Sequence, residues 1–290
     1  MLERTLNRTT RIGISTWVYF WRPLEETLRK IAKVGYPYVE LWGDEGHLDP
    51  TVFSGILPLR RLLNKLQLQV YSLHAPFTYV NIAALDEEER KYSIQTIRKS
   101  IEFCSKLEGK VVIIHPHSTK VFPSLKDSSK MIDNIERSLG ELTTFAGECN
   151  IKIALENLSF LGEWEFGSEI SDLKKLVTKI GRNELGLCLD TGHSLIGKTK
   201  VDLSQMGFEC GKKLIALHIQ DTDGKKDRHW LPGEGIINWT QFAKALRSVN
   251  YQGIFTLEIS GSEKWTGPVS YTHLRAHETS LHLVCRLLLE

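Results

Sequence analysis

The sequence predicts an α/β protein folded as a single (β/α)8 TIM barrel, on three observations. Eight short apolar runs alternate with longer amphipathic segments between residues 11 and 260. No linker divides them, so one domain of 11–260 is expected. The rival arrangement, a doubly wound open sheet, lacks support because no glycine-rich turn opens the first helix.

Each element follows from its own pattern. "RIGIST" (11–16) is the first strand. "PLEETLRKIAKVG" (23–35) is the first helix, with Pro23 suited to its first turn, Leu24, Leu28 and Ile31 on one stripe, and Gly35 at its end. "YPYVELW" (36–42) reads as the second strand and "LPLRRLLNKL" (57–66) as the next helix. "LQVYSLHAP" (68–76) precedes a long helix from about Asp86 to Leu107. "GKVVIIHPH" (109–117) is the fourth strand, and Ile132 to Ala146 carries a helical stripe. "IKIALEN" (151–157), "ELGLCLDTGH" (184–193), "LIALHIQD" (214–221) and "GIFTLEIS" (253–260) complete the strands. Helices are expected over 169–180 and 239–248.

The chain end departs from this order. "GPVSYTHLRAHETSLHLVCRLLLE" (267–290) has three His and a Cys and resembles translated vector read-through more than a barrel helix. The eighth helix is therefore expected to be missing or replaced by a non-native tail, which would lower stability by leaving the eighth strand poorly covered. His273, His277 and His282 are given no weight in the site.

Composition narrows the function classes. At 290 residues, with 41% apolar and 25% charged residues, the chain can bury a sizeable core. A formal charge of +2 gives no support to a dedicated nucleic-acid or membrane binder. The five cysteines form no CxxC, as expected for reduced thiols in the cytoplasm. No apolar run approaches the ~20 residues of a membrane span, and the polar start "MLERTLNRTTR" does not look like a signal peptide.

The chemistry lies at the strand ends. His74, His115, His193, His218 and His229 fall at or just beyond predicted strands, and Glu156, Asp190 and Glu258 end strands five, six and eight. A barrel brings these ends to one mouth. Imidazoles with carboxylates suit Zn²⁺, Mn²⁺, Fe²⁺ or Co²⁺ rather than Ca²⁺, and no cysteine is expected among them. Several buried carboxylates together need a cation. Each residue has a plainer reading: Asp190 as a helix cap, His218 as a core histidine, His74 as a strand-end donor. Either His115 or His117 can face inward, His115 being favoured. In "DTDGKKDRHWLPGEG" (221–235), Asp227 and His229 stand two apart. In an extended loop they would point the same way and chelate one ion. Arg228 would then face solvent, a salt partner or a substrate anion. The Pro232-Gly233-Glu234-Gly235 turn offers N–H groups to a phosphate or sugar oxygen.

"YSLHAP", "VVIIHPH", "IALEN", "LCLDTGH", "LHIQDTDGKKDRHWLPGEG" and "FTLEIS" together resemble the xylose-isomerase-like barrel superfamily over residues 11–260. That group holds sugar and sugar-phosphate isomerases and epimerases as well as the endonuclease IV family. The epimerase branch implies one metal on Glu156, Asp190, His218 and Glu258, with His193 contacting the sugar. The endonuclease branch implies three Zn²⁺ on those residues plus His74, His115, His193, Asp227 and His229, and all nine types match. Against the nuclease, "GISTWVYFW" lacks that family's opening His and Gly-rich stretch, and the segment before "DRH" is short.

The expectation is thus a divalent-metal-dependent (Mn²⁺, Zn²⁺ or Co²⁺) isomerase or epimerase of a sugar, sugar phosphate or related keto-polyol. It would act by carboxylate-mediated proton transfer through a metal-stabilised enediolate. Glu156, Glu258 and His193 are the expected catalytic residues, and His74, His115, Arg228 and Trp17 the substrate contacts. Phe20, Trp21, Trp42 and Phe77 are further candidates to pack against the sugar. The alternatives are a zinc phosphodiesterase acting on abasic DNA and a non-catalytic sugar-binding barrel. The expected partner is a small sugar, with nucleic acid only under the nuclease reading. No membrane partner is expected, and a homo-oligomer is compatible with the sequence.

Overall fold

A computed structural model describes residues 11–44, 47–118, 126–160, 166–196 and 202–260. Eight parallel strands close on themselves in sequence order, and β8 pairs with β1. They are β1 (Ile12–Ser15), β2 (Tyr38–Trp42), β3 (Gln69–His74), β4 (Val111–Ile114), β5 (Lys152–Glu156), β6 (Leu185–Asp190), β7 (Leu214–Ile219) and β8 (Phe255–Leu257). The barrel expectation holds. Among the described residues seven α-helices cover the strands, and no α-helix follows β8 within them. The expected tail at 267–290 lies outside the described residues.

Local chemistry sets the helix ends. Pro23 occupies the position before α1 (Leu24–Val34) without a side-chain cap, and Gly35 ends the helix at φ 97°, a left-handed conformation in which a side chain is strained. α2 spans Ile56–Leu66. Asp86 caps α3 (Glu87–Lys106) by accepting the Glu89 N–H at 2.8 Å, and three glutamates in the first turn complement the helix dipole. Arg90, buried on α3, reaches Glu87 on its own helix and Ser138 and Glu141 on α4 (Ser128–Glu148). α5 is Ile170–Ile180.

One helix was not anticipated. α6 (Leu203–Cys210) is only eight residues long and contains Gly207, so its periodicity is too brief to stand out. Asp202 caps it, and Leu203, Met206 and Cys210 bury its inner face. It packs on α7 (Trp239–Ser248), whose Phe242 is fully buried.

Strand alternation separates two cores. Side chains at odd and even positions face opposite sides. Val112, Ile114, Ile153, Leu155, Leu187, Leu189, Leu217 and Ile219 face outward and join the helices in the main core. Val111, Ile113, Ala154, Cys188 and Ala216 face inward and form a second, small core inside the barrel. The inward row continues toward the C-terminal mouth, where it changes from apolar to ionisable. Among the described residues no helix is long and apolar enough to cross a membrane.

Phe242→Ala should empty the contact between α6, α7 and the barrel and lower unfolding stability by about 3–5 kcal/mol. Chemical denaturation would measure the loss.

Candidate metal centre

Continuing the inward alternation by two residues past Ala154, Cys188 and Ala216 reaches Glu156, Asp190 and His218. His74 ends β3, and His115 and Glu258 stand one residue past β4 and β8. The barrel thereby gathers residues far apart in sequence at one end. Among the described residues four donor groups result: Glu156, Asp190, His218 and Glu258; His74, His115 and Glu156; His193, Asp227 and His229; and Glu156, His218 and Cys188. Within each, potential ligand atoms lie within 4.8 Å of one another. All nine sequence candidates are present.

Glu156 is the hub. Its Oε2 lies 3.1 Å from His74 Nε2 and 3.4 Å from His115 Nε2, and its Oε1 lies 3.0 Å from His218 Nδ1 and 3.4 Å from His193 Nδ1. One carboxylate thus faces two donor groups, one with each oxygen. Glu258 Oε2 approaches the same His218 Nδ1 at 3.1 Å.

Backbone carbonyls, which can only accept, orient three of the rings. His74 donates from Nδ1 to Ala75 O at 2.8 Å, His193 to Asn157 O at 3.1 Å, and His229 to Glu258 O at 2.7 Å. Each then presents Nε2 to the centre, the outer hydrogen bond setting the tautomer. His115 also presents Nε2, and it is the inward member of its pair. His117 instead holds the Ser118 and Phe166 carbonyls.

The 221–235 loop reaches the mouth by a route unlike the expected one. His229 lies at φ 49°, in the left-handed region, so the segment is not extended. Asp227 and His229 nonetheless meet at 3.1 Å because Gln220 guides the loop. The Gln220 amide donates to both Asp190 oxygens and to Asp227, while its oxygen accepts the His229 N–H at 2.8 Å. Gly192 makes room for that amide, since a Cβ there would lie 2.5 Å from Gln220 Cδ.

The Pro232–Gly235 turn is not a free anion cradle. Buried Asp221 accepts the Gly233 N–H at 2.8 Å, the Trp239 indole N–H at 3.0 Å and the backbone N–H groups of Thr222 and Ile237. Gly235 packs so closely that a Cβ would stand 2.2 Å from Thr222 O. Arg228 takes the salt partner rather than standing free: Asp223 holds it at 2.8 Å, and its guanidinium lies over Trp230.

Aromatic rings wall the mouth. Trp17 stacks on Phe20 at 4.7 Å, meets Trp42 edge-on at 4.9 Å and lies 5.5 Å from His229. Phe77 lies 4.6 Å from His115 and 5.2 Å from His74. Trp21 stands edge-on to Phe20 on the outer side.

Two further residues face the centre. Cys188 contradicts the expectation that no cysteine would join, because it shares the inward face with Asp190 and lies in one donor group with Glu156 and His218. Burial pushes its thiol pKa up, so it stays protonated in its own surroundings. Glu40 on β2 was not identified either. It accepts from Ser72 Oγ at 2.7 Å and His218 Nε2 at 3.2 Å. Its one signal is a carboxylate within the apolar run "YVELW". Gln220, Asn157 and Asp221 carry no comparable signal, since their partners come from other elements.

The donors fit a divalent cation. Glu156, Asp190 and Glu258 are at most 6% exposed, a burial that isolated carboxylates resist. Burial would raise the Glu156 pKa, but the surrounding imidazoles, His218 foremost, hold it well below the usual range. Burial alone would depress His193, His218 and His229. Asp190 and Asp227 raise His193, Cys188 and Glu156 raise His218, and Asp227 lifts His229 to about 9. For His115 burial wins, and its pKa falls to about 4. Burial, with the charges of Glu156 and Glu258, lifts Asp190 to about 6 despite His193. Protons on imidazole thus do the work that a cation does once the nitrogens are free.

Comparisons with known proteins agree with this geometry. Residues 28–277 match the family described as "Xylose isomerase-like TIM barrel". An uncharacterized protein of Methanocaldococcus jannaschii is 29% identical over 252 residues, covering 86% of this chain and 83% of that one. The fructoselysine 3-epimerase of Shigella flexneri is 25% identical over 86% of this chain and 90% of its own. A probable endonuclease 4 of Mycoplasma pneumoniae is also 25% identical, over 69% and 71%. Among solved structures, a D-tagatose 3-epimerase-like protein superposes with a TM-score of 0.80 and 26% identity, over 95% of this chain and 98% of that one.

Two outcomes follow. Asp221→Ala leaves four donors without an acceptor and should destabilise the fold by about 3–5 kcal/mol, read by denaturation. The second concerns pH. His229 is raised in the folded state, so its charge stabilises the chelator-treated protein below about 6.5, and that contribution fades as pH rises through about 9. At the donor group of Glu156, Asp190, His218 and Glu258, His218 is likewise raised, by Cys188 and Glu156 against the pull of burial, and Zn²⁺ competes with its proton. The rise in melting temperature on adding Zn²⁺ should therefore grow from pH 6.5 to 9, with protons released on binding in calorimetry.

Proposed function

The chain belongs to the xylose isomerase-like TIM barrel family, and on that premise we propose that it is a divalent-metal-dependent isomerase or epimerase of a sugar, sugar phosphate or related keto-polyol. The observation that carries the reading is the convergence of Glu156, Asp190, His218 and Glu258 on one point inside the barrel mouth. The likeness to the D-tagatose 3-epimerase-like structure spans nearly both chains and supports the same reading.

Glu156, Asp190, His218 and Glu258 would hold the ion. A bound divalent cation supplies Lewis acidity to a carbonyl and its neighbouring hydroxyl. The chain supplies the proton chemistry. Glu156 and Glu258 both approach His218 Nδ1, at 3.0 and 3.1 Å. In this reading one carboxylate takes the proton from the carbon beside the carbonyl, and the other delivers a proton to the opposite face. His193, fixed by Asn157 and Asp227, orients a substrate oxygen. Trp17, Trp42 and Phe77 pack against the sugar's C–H faces and keep water from the carbanionic carbon.

The nine donors in three groups favour a second reading, a zinc phosphodiesterase. The share of chain matched separates the two, being larger for the epimerase relative than for the probable endonuclease.

Protein purified without added metal should hold about one Zn²⁺, Mn²⁺ or Co²⁺ per chain. It should also exchange a carbon-bound proton of one or more ketoses or their phosphates with deuterated water. Glu156→Gln and Glu258→Gln should each lower that exchange rate roughly 10²–10⁴-fold. About three Zn²⁺ per chain with cleavage of abasic DNA would replace this reading with the second. Bound metal with neither activity would leave a sugar-binding barrel.

A further inference from the structure

Of the three metal-facing histidines whose outer nitrogen meets the backbone, each donates to a carbonyl: His74 to Ala75, His193 to Asn157 and His229 to Glu258. His218 is built the other way round. Its Nδ1 faces Glu156 and Glu258 in the centre, and its Nε2 lies 3.2 Å from Glu40 Oε2 on the far side of the ring. Glu40 is 1% exposed, and Ser72 Oγ donates to its Oε2 at 2.7 Å. Its other oxygen, Oε1, is buried with no hydrogen-bond partner. A carboxylate sunk this deep with half its acceptor capacity unmet is costly to keep for packing alone.

We propose that Glu40 is a positioning residue that fixes His218 as the Nε2–H tautomer, aims its Nδ1 lone pair at the cation, and makes that nitrogen a stronger donor. This rests on the metal-dependent reading above. A ring whose outer N–H is given to a carboxylate is held in one tautomer and one orientation, and the partial negative charge passed to it strengthens the inner nitrogen as a ligand. Ser72 keeps the carboxylate in place. Glu40 meets the donor group of Glu156, Asp190, His218 and Glu258 through His218.

The test is a pair of substitutions read by metal affinity. Dissociation constants for Zn²⁺ and Co²⁺ would be measured by chelator competition on wild type, Glu40→Ala and Glu40→Gln, with the Co²⁺ visible spectrum and melting temperature recorded for each. Glu40→Ala should weaken both ions roughly 10–100-fold and shift the Co²⁺ bands. Glu40→Gln still offers an amide oxygen to Nε2–H but no charge, so it should weaken binding by a smaller factor of roughly 3–10. Should Glu40→Ala fail to fold, the isosteric Gln variant carries the test. A folded variant with wild-type affinity and an unchanged spectrum, whatever its melting temperature, would make Glu40 a packing residue and overturn the proposal. Wild-type protein that binds neither ion would bring down the metal-dependent reading itself, and the role of Glu40 with it.

Discussion

The Glu156 carboxylate, buried at the hub of four imidazoles, is the constraint on which the rest of the site depends. A negative charge taken out of water must be answered within a few ångströms. Its two oxygens divide the answer, His74 and His115 on one side and His218 and His193 on the other. Glu156 thereby belongs both to the His74 and His115 group and to the group of Asp190, His218 and Glu258, with His193, Asp227 and His229 alongside. Burial, with the like charges of Glu156 and Glu258, pushes Asp190 up, while His193 and His218 hold protons through the carboxylates beside them.

Such a centre needs rigid support, and the barrel provides it in layers. Below the ionisable row, Val111, Ile113, Ala154, Cys188 and Ala216 close the interior to water. Small side chains at 154, 188 and 216 leave room above for Glu156, Asp190 and His218. Around the mouth, polar groups that never face a ligand set the angles of those that do. Asn157 grips the Asp190 backbone, Gln220 spans Asp190, Asp227 and His229, and Asp221 secures the loop that carries Asp227 and His229. A site on loops becomes as well placed as one on strands when every loop donor has a buried acceptor.

The same donors serve two chemistries, because a cation beside paired carboxylates stabilises charge on a carbonyl oxygen or on a phosphate. Specificity then falls to the walls. Here Trp17, Phe20, Trp42 and Phe77 form an aromatic rim beside the histidines. Arg228, between Asp227 and His229, is held by Asp223 and Trp230, while Lys225 and Lys226 stand exposed on the same loop. Such an aromatic rim suits the C–H faces of a sugar.

By itself the sequence determined the barrel and the nine ionisable residues at its mouth. Both are written in local periodicity: period-two strands, helical stripes, and a His, Asp or Glu at the end of an apolar run. Short or compensated features were not legible. α6 has eight residues and an internal glycine, too little for a periodic signal. The left-handed His229 mimics by a turn what extended spacing would have done by alternation. The inward faces of Glu40 and Cys188, the occupation of the Pro232–Gly235 turn by Asp221, and the pairing of Arg228 with Asp223 were decided only by tertiary structure. Each depends on which neighbour the closed barrel or its loop brings alongside, and burial and partner, rather than residue type, set what such a group can do.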